Sequence, residues 1–373
     1  MFFIINTLIN THKTILEKII YIFALVILLC SCNSNDIFIE GRLSNLSNTD
    51  LFVVYESPEG NLFDTVMCNE KGKFLIFKEY NDNIQSITIY YNDRDKWFTV
   101  YPEAGKAMQI KGDSRFPTLL QVKGGRINNK LSEFKKKAAP LLKEMAIIFD
   151  NTSISSSEGA LQSANINFEL RRLIESFINK NPGEEASAIL ISKYLASPDD
   201  IEKQTEEFLN KLSPELNNYF IVKNLRAQIA KAKKTMIGAK APDFKVTNIY
   251  GETFTNDSLA NKYYILSFTA LWCDMCRTEV MGLNDIATKY SKDSLDILLI
   301  SLDDEFDKLR EMAHQDTIRW NIVADSVSQA INMYEKYNVS SLPKCYLIDK
   351  EGKILLRTTN GVELKQTVDE VMK

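Results

Sequence analysis

Tyr263-Tyr264-Ile265-Leu266-Ser267-Phe268-Thr269-Ala270-Leu271-Trp272-Cys273-Asp274-Met275-Cys276 runs an apolar strand into a pair of thiols. The aromatic and branched residues from Tyr263 to Phe268 suit a pleated, buried strand. The cysteines, three positions apart, fall where the next helix begins. The helix dipole and its unpaired N–H groups would stabilise a thiolate on Cys273. Cys276, one turn on, is placed to attack a mixed disulfide formed by Cys273, so the pair can cycle between dithiol and disulfide. Half of a structural zinc site is the competing interpretation, and zinc would need two further Cys or His ligands. The chain has two histidines, His12 and His314, and His12 falls in a targeting segment. Cys30, Cys32, Cys68 and Cys345 form no second pair that would survive processing. We therefore expect a redox pair, no metal and no cofactor.

The N-terminus has the order of an export signal. Lys13 and Lys18 precede an apolar run, Ile19 to Leu29, too short for a membrane-spanning helix of about 20 residues. It ends in Leu29-Cys30-Ser31-Cys32, which resembles a bacterial lipobox. That resemblance implies cleavage after Ser31 and acylation of Cys32, with Asn33 to Asp36 as a polar tether to the bilayer. An uncleaved signal anchor is the alternative. Both place the body of the protein outside the cytoplasm, on the periplasmic side of the envelope, where a partner must hold the Cys pair in its working state.

The 373 residues allow two or three domains, and 45% hydrophobic with 25% charged residues is an ordinary globular balance. A formal net charge of −4 without a long basic run argues against nucleic acid. Short β runs recur at Leu51–Tyr55, Phe74–Phe77, Ile84–Tyr91 and Trp97–Tyr101, separated by turn clusters such as Asn69-Glu70-Lys71-Gly72. They predict an antiparallel β-sandwich or barrel over 36–125. Phe38-Ile39-Glu40-Gly41-Arg42-Leu43, Asp64-Thr65 and Gly72-Lys73-Phe74 resemble the DUF4369-type β-domain that precedes thioredoxin modules in Bacteroidetes envelope proteins.

Gly124-Gly125 marks a switch to helix. Leu131, Phe134, Ala138, Leu141 and Met145 recur at helical steps, and an α-helical region is expected over 126–235. Thr152 to Gly159 is a Ser-rich break, and Ser197-Pro198 and Ser213-Pro214 announce further helices. Lys231, Lys233 and Lys234 close the last of these, where cations suit the dipole.

From 236 to 373 the expected order is extended, strand, helix, strand, helix, strand, strand, helix. Ile297 to Ser301 has the continuous apolarity of a strand buried on both faces. Gly238-Ala239-Lys240-Ala241-Pro242-Asp243-Phe244, Ser267 to Cys273 with Cys276, and Pro343 with Leu347-Ile348-Asp349 resemble, in order and spacing, an α/β thioredoxin-fold domain of the TlpA/ResA type. The chain is thus expected to be multidomain, with residues 1–31 as signal peptide.

That resemblance implies roles. Cys273 would be the nucleophile and Cys276 the resolving thiol. Trp272 would pack beside the pair and limit solvent access, its alternative being a plain core aromatic. Pro343 would be the family's cis-proline, leaving neighbouring backbone free to pair with an extended substrate. Glu279 would assist proton transfer, its alternative being a first-turn acid that complements the dipole.

Three departures matter. Ser267 occupies the position of the buried Asp of thioredoxins proper. Asp274 should oppose thiolate formation, favouring a reductant over a strong oxidant. Lys344 follows Pro343 where Thr is common. Cys345 is either a third redox group or an inert buried thiol, and Cys68 is treated the same way.

The implied function is an envelope-anchored thiol–disulfide oxidoreductase. Its partners would be disulfide-bearing exported proteins, apocytochrome c among them, and a membrane reductant of the DsbD/CcdA kind. Two rivals remain. A peroxiredoxin-like peroxidase shares Ala241-Pro242-Asp243-Phe244, but Thr269 stands four rather than three before Cys273. A binding or scaffold lipoprotein would use the pair for regulation only.

Overall fold

The computed structural model describes residues 36–79, 84–150, 156–196, 204–315, 318, 320–325 and 328–373; side chains 149–150, 156–158 and 279–281 are outside the description. The signal segment with Cys32 and the Ser197-Pro198 helix start lie outside the described residues. Contacts group the chain into two compact units, Met1–Ser187 and Ala188–Lys373.

The first unit opens with β1 (Ile37–Ser44), β2 (Asp50–Glu56), β3 (Leu62–Met67) and β4 (Lys73–Lys78). β5 (Ser86–Tyr91), β6 (Lys96–Val100), β7 (Met108–Asp113) and β8 (Gln121–Lys123) follow. They form two four-stranded sheets, ordered β4-β1-β7-β8 and β3-β2-β5-β6. Strict alternation along β1 and β2 turns Ile37, Ile39, Leu43, Leu51, Val53 and Tyr55 into one shared core, the signature of a sandwich. The ladders are antiparallel with one exception: β1 and β7 run parallel, Ile39 facing Met108. The purely antiparallel expectation fails there because a distant pair is not bound by hairpin connection.

At Gly41 a Cβ would lie 2.0 Å from the buried ring of Phe74, its partner across the ladder, so the glycine is the space the ring occupies. Gly124 and Gly125 both have positive φ, and a Cβ on Gly124 would meet the Ala107 carbonyl oxygen at 2.0 Å. That backbone turn delivers α1 (Arg126–Asp150), which meets α2 (Ser156–Lys180) through an edge-to-face contact of Phe134 and Phe177. Helix α3 (Glu185–Tyr194) contains the division between the units.

The second unit continues with α4 (Glu206–Asn210) and α5 (Phe220–Lys233). Ser213-Pro214 opens a 3-10 turn, Pro214–Asn218, and the α-helix begins later, at Phe220. There follow β9 (Lys245–Thr247), β10 (Thr253–Thr255), β11 (Tyr263–Thr269), α6 (Asp274–Lys289), β12 (Leu295–Ser301) and α7 (Phe306–Gln315). β13 (Asn321–Val323), α8 (Gln329–Lys336), β14 (Lys344–Ile348), β15 (Ile354–Thr358) and α9 (Gly361–Val371) complete it. The five-stranded sheet is ordered β13-β12-β11-β14-β15, with β11, β12 and β13 parallel and β14 and β15 antiparallel to their neighbours.

Both faces of this sheet are covered. Ile265, Ile297, Leu299 and Leu347 pack with Leu283 and Ile286 of α6, Leu309 of α7 and Leu364 of α9. Tyr264, Leu266, Phe268, Leu298 and Ile300 pack with Met333 and Tyr334 of α8 and with Val246 of β9. Burial on both sides is why β12 runs apolar from Ile297 to Ile300, each such side chain contributing roughly 1.5–3 kcal/mol. The observed order adds the β9–β10 hairpin and the short β13–α8 pair to the expected one.

Candidate active site

The central strand β11 ends at Thr269, and three residues, Ala270 to Trp272, carry the chain to Cys273, the N-cap of α6. Cys273 and Cys276 are joined in a disulfide, with their Cα atoms 5.3 Å apart. The Cys273 sulfur also accepts the Cys276 backbone N–H at 3.2 Å, a capping contact that places the sulfur on the positive end of the helix. Cys273 is half-buried, whereas Cys276 is 1% exposed. One sulfur therefore meets partners in solution and the other works from inside.

The loop is tied down from three directions. Thr269 offers its carbonyl to the Leu302 N–H at 3.1 Å and to the Tyr334 hydroxyl at 2.6 Å. Leu271 donates its N–H to the Asp303 carboxylate at 2.7 Å, and the Ser301 hydroxyl donates to the same oxygen at 2.5 Å. Cys273 itself donates its N–H to the Ala270 carbonyl at 3.1 Å. Burial pushes the Tyr334 phenol far above its ordinary pKa, so it stays a neutral donor. Asp303 and Tyr334 escaped the sequence reading. The sequence signal for Asp303 is its place just past the apolar run Ile297–Ile300.

Trp272 is 70% exposed, so the core-aromatic alternative does not hold. Leu271, Trp272 and Met275, the apolar neighbours of the two cysteines in sequence, are all exposed. Asp274 is exposed in the first turn of α6. Glu279 lies on α6 one turn after Cys276, and its side chain is outside the described residues. The Leu342–Pro343 peptide is cis. Lys344, next in sequence, pairs with Phe268 across the β11–β14 ladder, so Pro343 stands at the same end of the sheet as the cysteines.

Ser267 faces Cys345 in that ladder, and the Cys345 thiol donates to the Ser267 hydroxyl at 3.5 Å, both buried. Lys344 is itself buried, so it does not stand in the open as a groove-lining cation. A cleft of about 330 Å³ beside the loop is lined by Thr269, Leu271, Arg277, Lys308 and Met312 among others. Among the described residues, no group of three or more His, Cys, Asp or Glu is placed to hold a metal ion.

A dithiol pair capping the helix after the central strand of a mixed sheet, with helices on both faces, defines a thiol–disulfide oxidoreductase of the thioredoxin fold. Residues 237–357 match the AhpC/TSA family, and ResA-type thiol-disulfide oxidoreductases are among the homologues of this stretch. The thiol-disulfide oxidoreductase ResA of Bacillus cereus is 27% identical over 144 residues, 39% of this chain and 81% of that protein. A Synechocystis protein whose name assigns it provisionally to the peroxiredoxins is 29% identical over 150 residues, 37% of this chain and 75% of that protein. A solved thiol-disulfide oxidoreductase from Bacteroides fragilis is 28% identical, covering 35% of this chain and 98% of that one, with a TM-score of 0.33.

Proposed function

We propose that this oxidoreductase works outside the cytoplasm, held to a membrane through Cys32, and reduces or exchanges disulfides of exported proteins. The observation that carries the reading is the unequal pair: one sulfur half-buried at a helix N-terminus, the other sealed beneath it. In the reduced enzyme, the Cys273 thiolate attacks one sulfur of a substrate disulfide and expels the other as a thiolate, forming a mixed disulfide. Cys276 then attacks the Cys273 sulfur, releasing the second substrate thiol and closing the Cys273–Cys276 disulfide. Two electrons pass to the substrate, and a membrane dithiol reductant of the DsbD/CcdA kind returns them.

Glu279 would take the Cys276 proton, Pro343 would leave its neighbouring backbone free for an extended substrate, and Trp272 would meet that substrate. Apocytochrome c is one substrate of the required chemistry. Residues 36–125 would be a DUF4369-like β-domain carried on the same tether.

The test is the reduction potential of the pair in the purified protein, equilibrated against glutathione or dithiothreitol. A value near or below roughly −270 mV supports a reductant, and one towards roughly −120 mV overturns that direction in favour of an oxidant. Hydrogen peroxide consumption measured alongside separates the peroxidase alternative. Loss of both cysteines without loss of a bound partner would instead mark a binding protein.

A further inference from the structure

The outer face of the sheet β4-β1-β7 is built unlike a solvated surface. Ladder register sorts its outward side chains into rows. Phe38 stands opposite Phe77, and Leu75 lies opposite Glu40, one step along the same face. Further on, Arg42 stands opposite Lys73 on one side and Lys111 on the other. The apolar members are open to solvent, Leu75 at 53% and Phe77 at 60%, and Phe38 at 36%. Leu62 of β3, 46% exposed, borders the same end: its ladder partner Tyr55 lies under the Lys78 ammonium, 5.3 Å from the ring centroid.

The cationic row Lys73–Arg42–Lys111 is also exposed. Like charges directly opposite one another destabilise a ladder unless an anion lies across them. The Phe38–Phe77 row lies about 13 Å from the cationic row, with Leu75 and the exposed Glu40 between them, an order that matches the acyl boundary and the phosphates of a lipid surface.

The chain's entry point fixes which end comes first. β1 begins at Ile37, five residues after Cys32, a span of at most about 18 Å even fully extended. The entry is at the Phe38–Phe77 end of the face, not at the Arg42 end. We infer that the outer face of β4-β1-β7 seats on a bilayer of anionic phospholipid, with Phe38, Phe77 and Leu75 entering the acyl boundary and Lys73, Arg42 and Lys111 on the phosphates. The inference rests on the Cys32 anchor proposed above. A second copy of the chain is the weaker occupant, because these few side chains fall well short of the roughly 20–30 residues a side of a stable interface.

The experiment uses the full chain, labelled with palmitate during expression and reconstituted in vesicles of phosphatidylglycerol and phosphatidylcholine. The vesicles carry a phospholipid photoactivatable in its acyl chain, and adducts are mapped by mass spectrometry. Adducts should fall in residues 37–44 and 73–78. Leu75→Asp with Phe77→Asp should lower their yield about tenfold, as lost burial of apolar side chains implies. Arg42→Glu with Lys73→Glu should lower it in phosphatidylglycerol vesicles and change little in pure phosphatidylcholine. Far-UV circular dichroism and hydrogen exchange of peptides from β2 and β5 should match the parent in both variants, showing that the first unit folds, and insulin reduction by the pair in the other unit should be unchanged.

Palmitate on Cys32 with no adducts in these strands, or with copy-to-copy crosslinks there instead, overturns the seating and leaves the anchor. Adducts in these strands without palmitate uphold the seating and remove the anchor. Absence of both overturns both.

Discussion

Cys273 and Cys276 divide their labour by access, and substitution should separate the two halves of the exchange. Cys273→Ser should lower insulin reduction by more than about 100-fold, because no thiol remains at the accessible position. Cys276→Ser should lose turnover equally and, unlike Cys273→Ser, accumulate a mixed disulfide visible on non-reducing gels. Asp303 makes a different contribution. Its carboxylate takes the Leu271 N–H and the Ser301 hydroxyl, so Asp303→Ala leaves two donors without that acceptor and should cost about 1–3 kcal/mol in denaturant unfolding. The pair Cys273 and Cys276 is legible as a local spacing, and Pro343 only through the resemblance of the stretch around it. Asp303 and Tyr334 were not, since they reach the loop from the end of β12 and from α8, and only the folded sheet brings those ends together. Cys68 carries a pH prediction. Burial pushes its thiol up to about 11 from 9.0, so the native chain keeps a proton that the unfolded chain loses over that interval. Stability contributed by this group is therefore intact below pH 9.0 and declines as pH rises towards about 11. Denaturant midpoints at pH 8 and 10.5 should differ more in the parent than in Cys68→Ala, and native Cys68 should resist iodoacetamide at pH 8.

Elements were readable in proportion to how strongly one face is buried. β2 falls on the branched and aromatic run Leu51–Tyr55 and β12 on the apolar run Ile297–Ser301, so pattern announces strands there, whereas β1 was marked only by a resemblance. β3 has no buried residue, and without an inner row nothing in its sequence separates it from a loop. β13 has three residues, too few for any period to register. The parallel β1–β7 pairing is decided by contacts between distant segments, which no local window contains. The β1–β4 pair offers a test at this scale. Gly41 leaves room for the Phe74 ring, and a methyl group added at 2.0 Å must displace a side chain that is 4% exposed. Gly41→Ala should destabilise the first unit by about 1–3 kcal/mol, as overpacking does. Gly60→Ala, where a Cβ meets nothing within 4 Å, adds no such overlap, and its strain is confined to a positive φ in an exposed turn.

At the scale of the molecule, redox chemistry and fold stability are linked through one cycle. The disulfide lies in the second unit, while Cys68, the free thiol among the described residues of the first, has no part in it. If the folded pair is more reducing than the same cysteines in an unfolded chain, oxidation must stabilise the fold by the equivalent free energy, and for two electrons 30 mV is about 1.4 kcal/mol. A strong oxidant has the opposite sign, its reduced form being the more stable. The negative charge of Asp274 in the first turn of α6 works against the helix N-terminus that draws a thiolate to Cys273, which favours the reducing sign. Hydrogen exchange followed by mass spectrometry reads this directly. Addition of dithiothreitol should speed exchange in peptides from β11, α6 and β14 and leave peptides from β1 to β8 unchanged. Slower exchange in the second unit after reduction would mean that the dithiol is the more stable state, and that electrons flow from substrates into this protein.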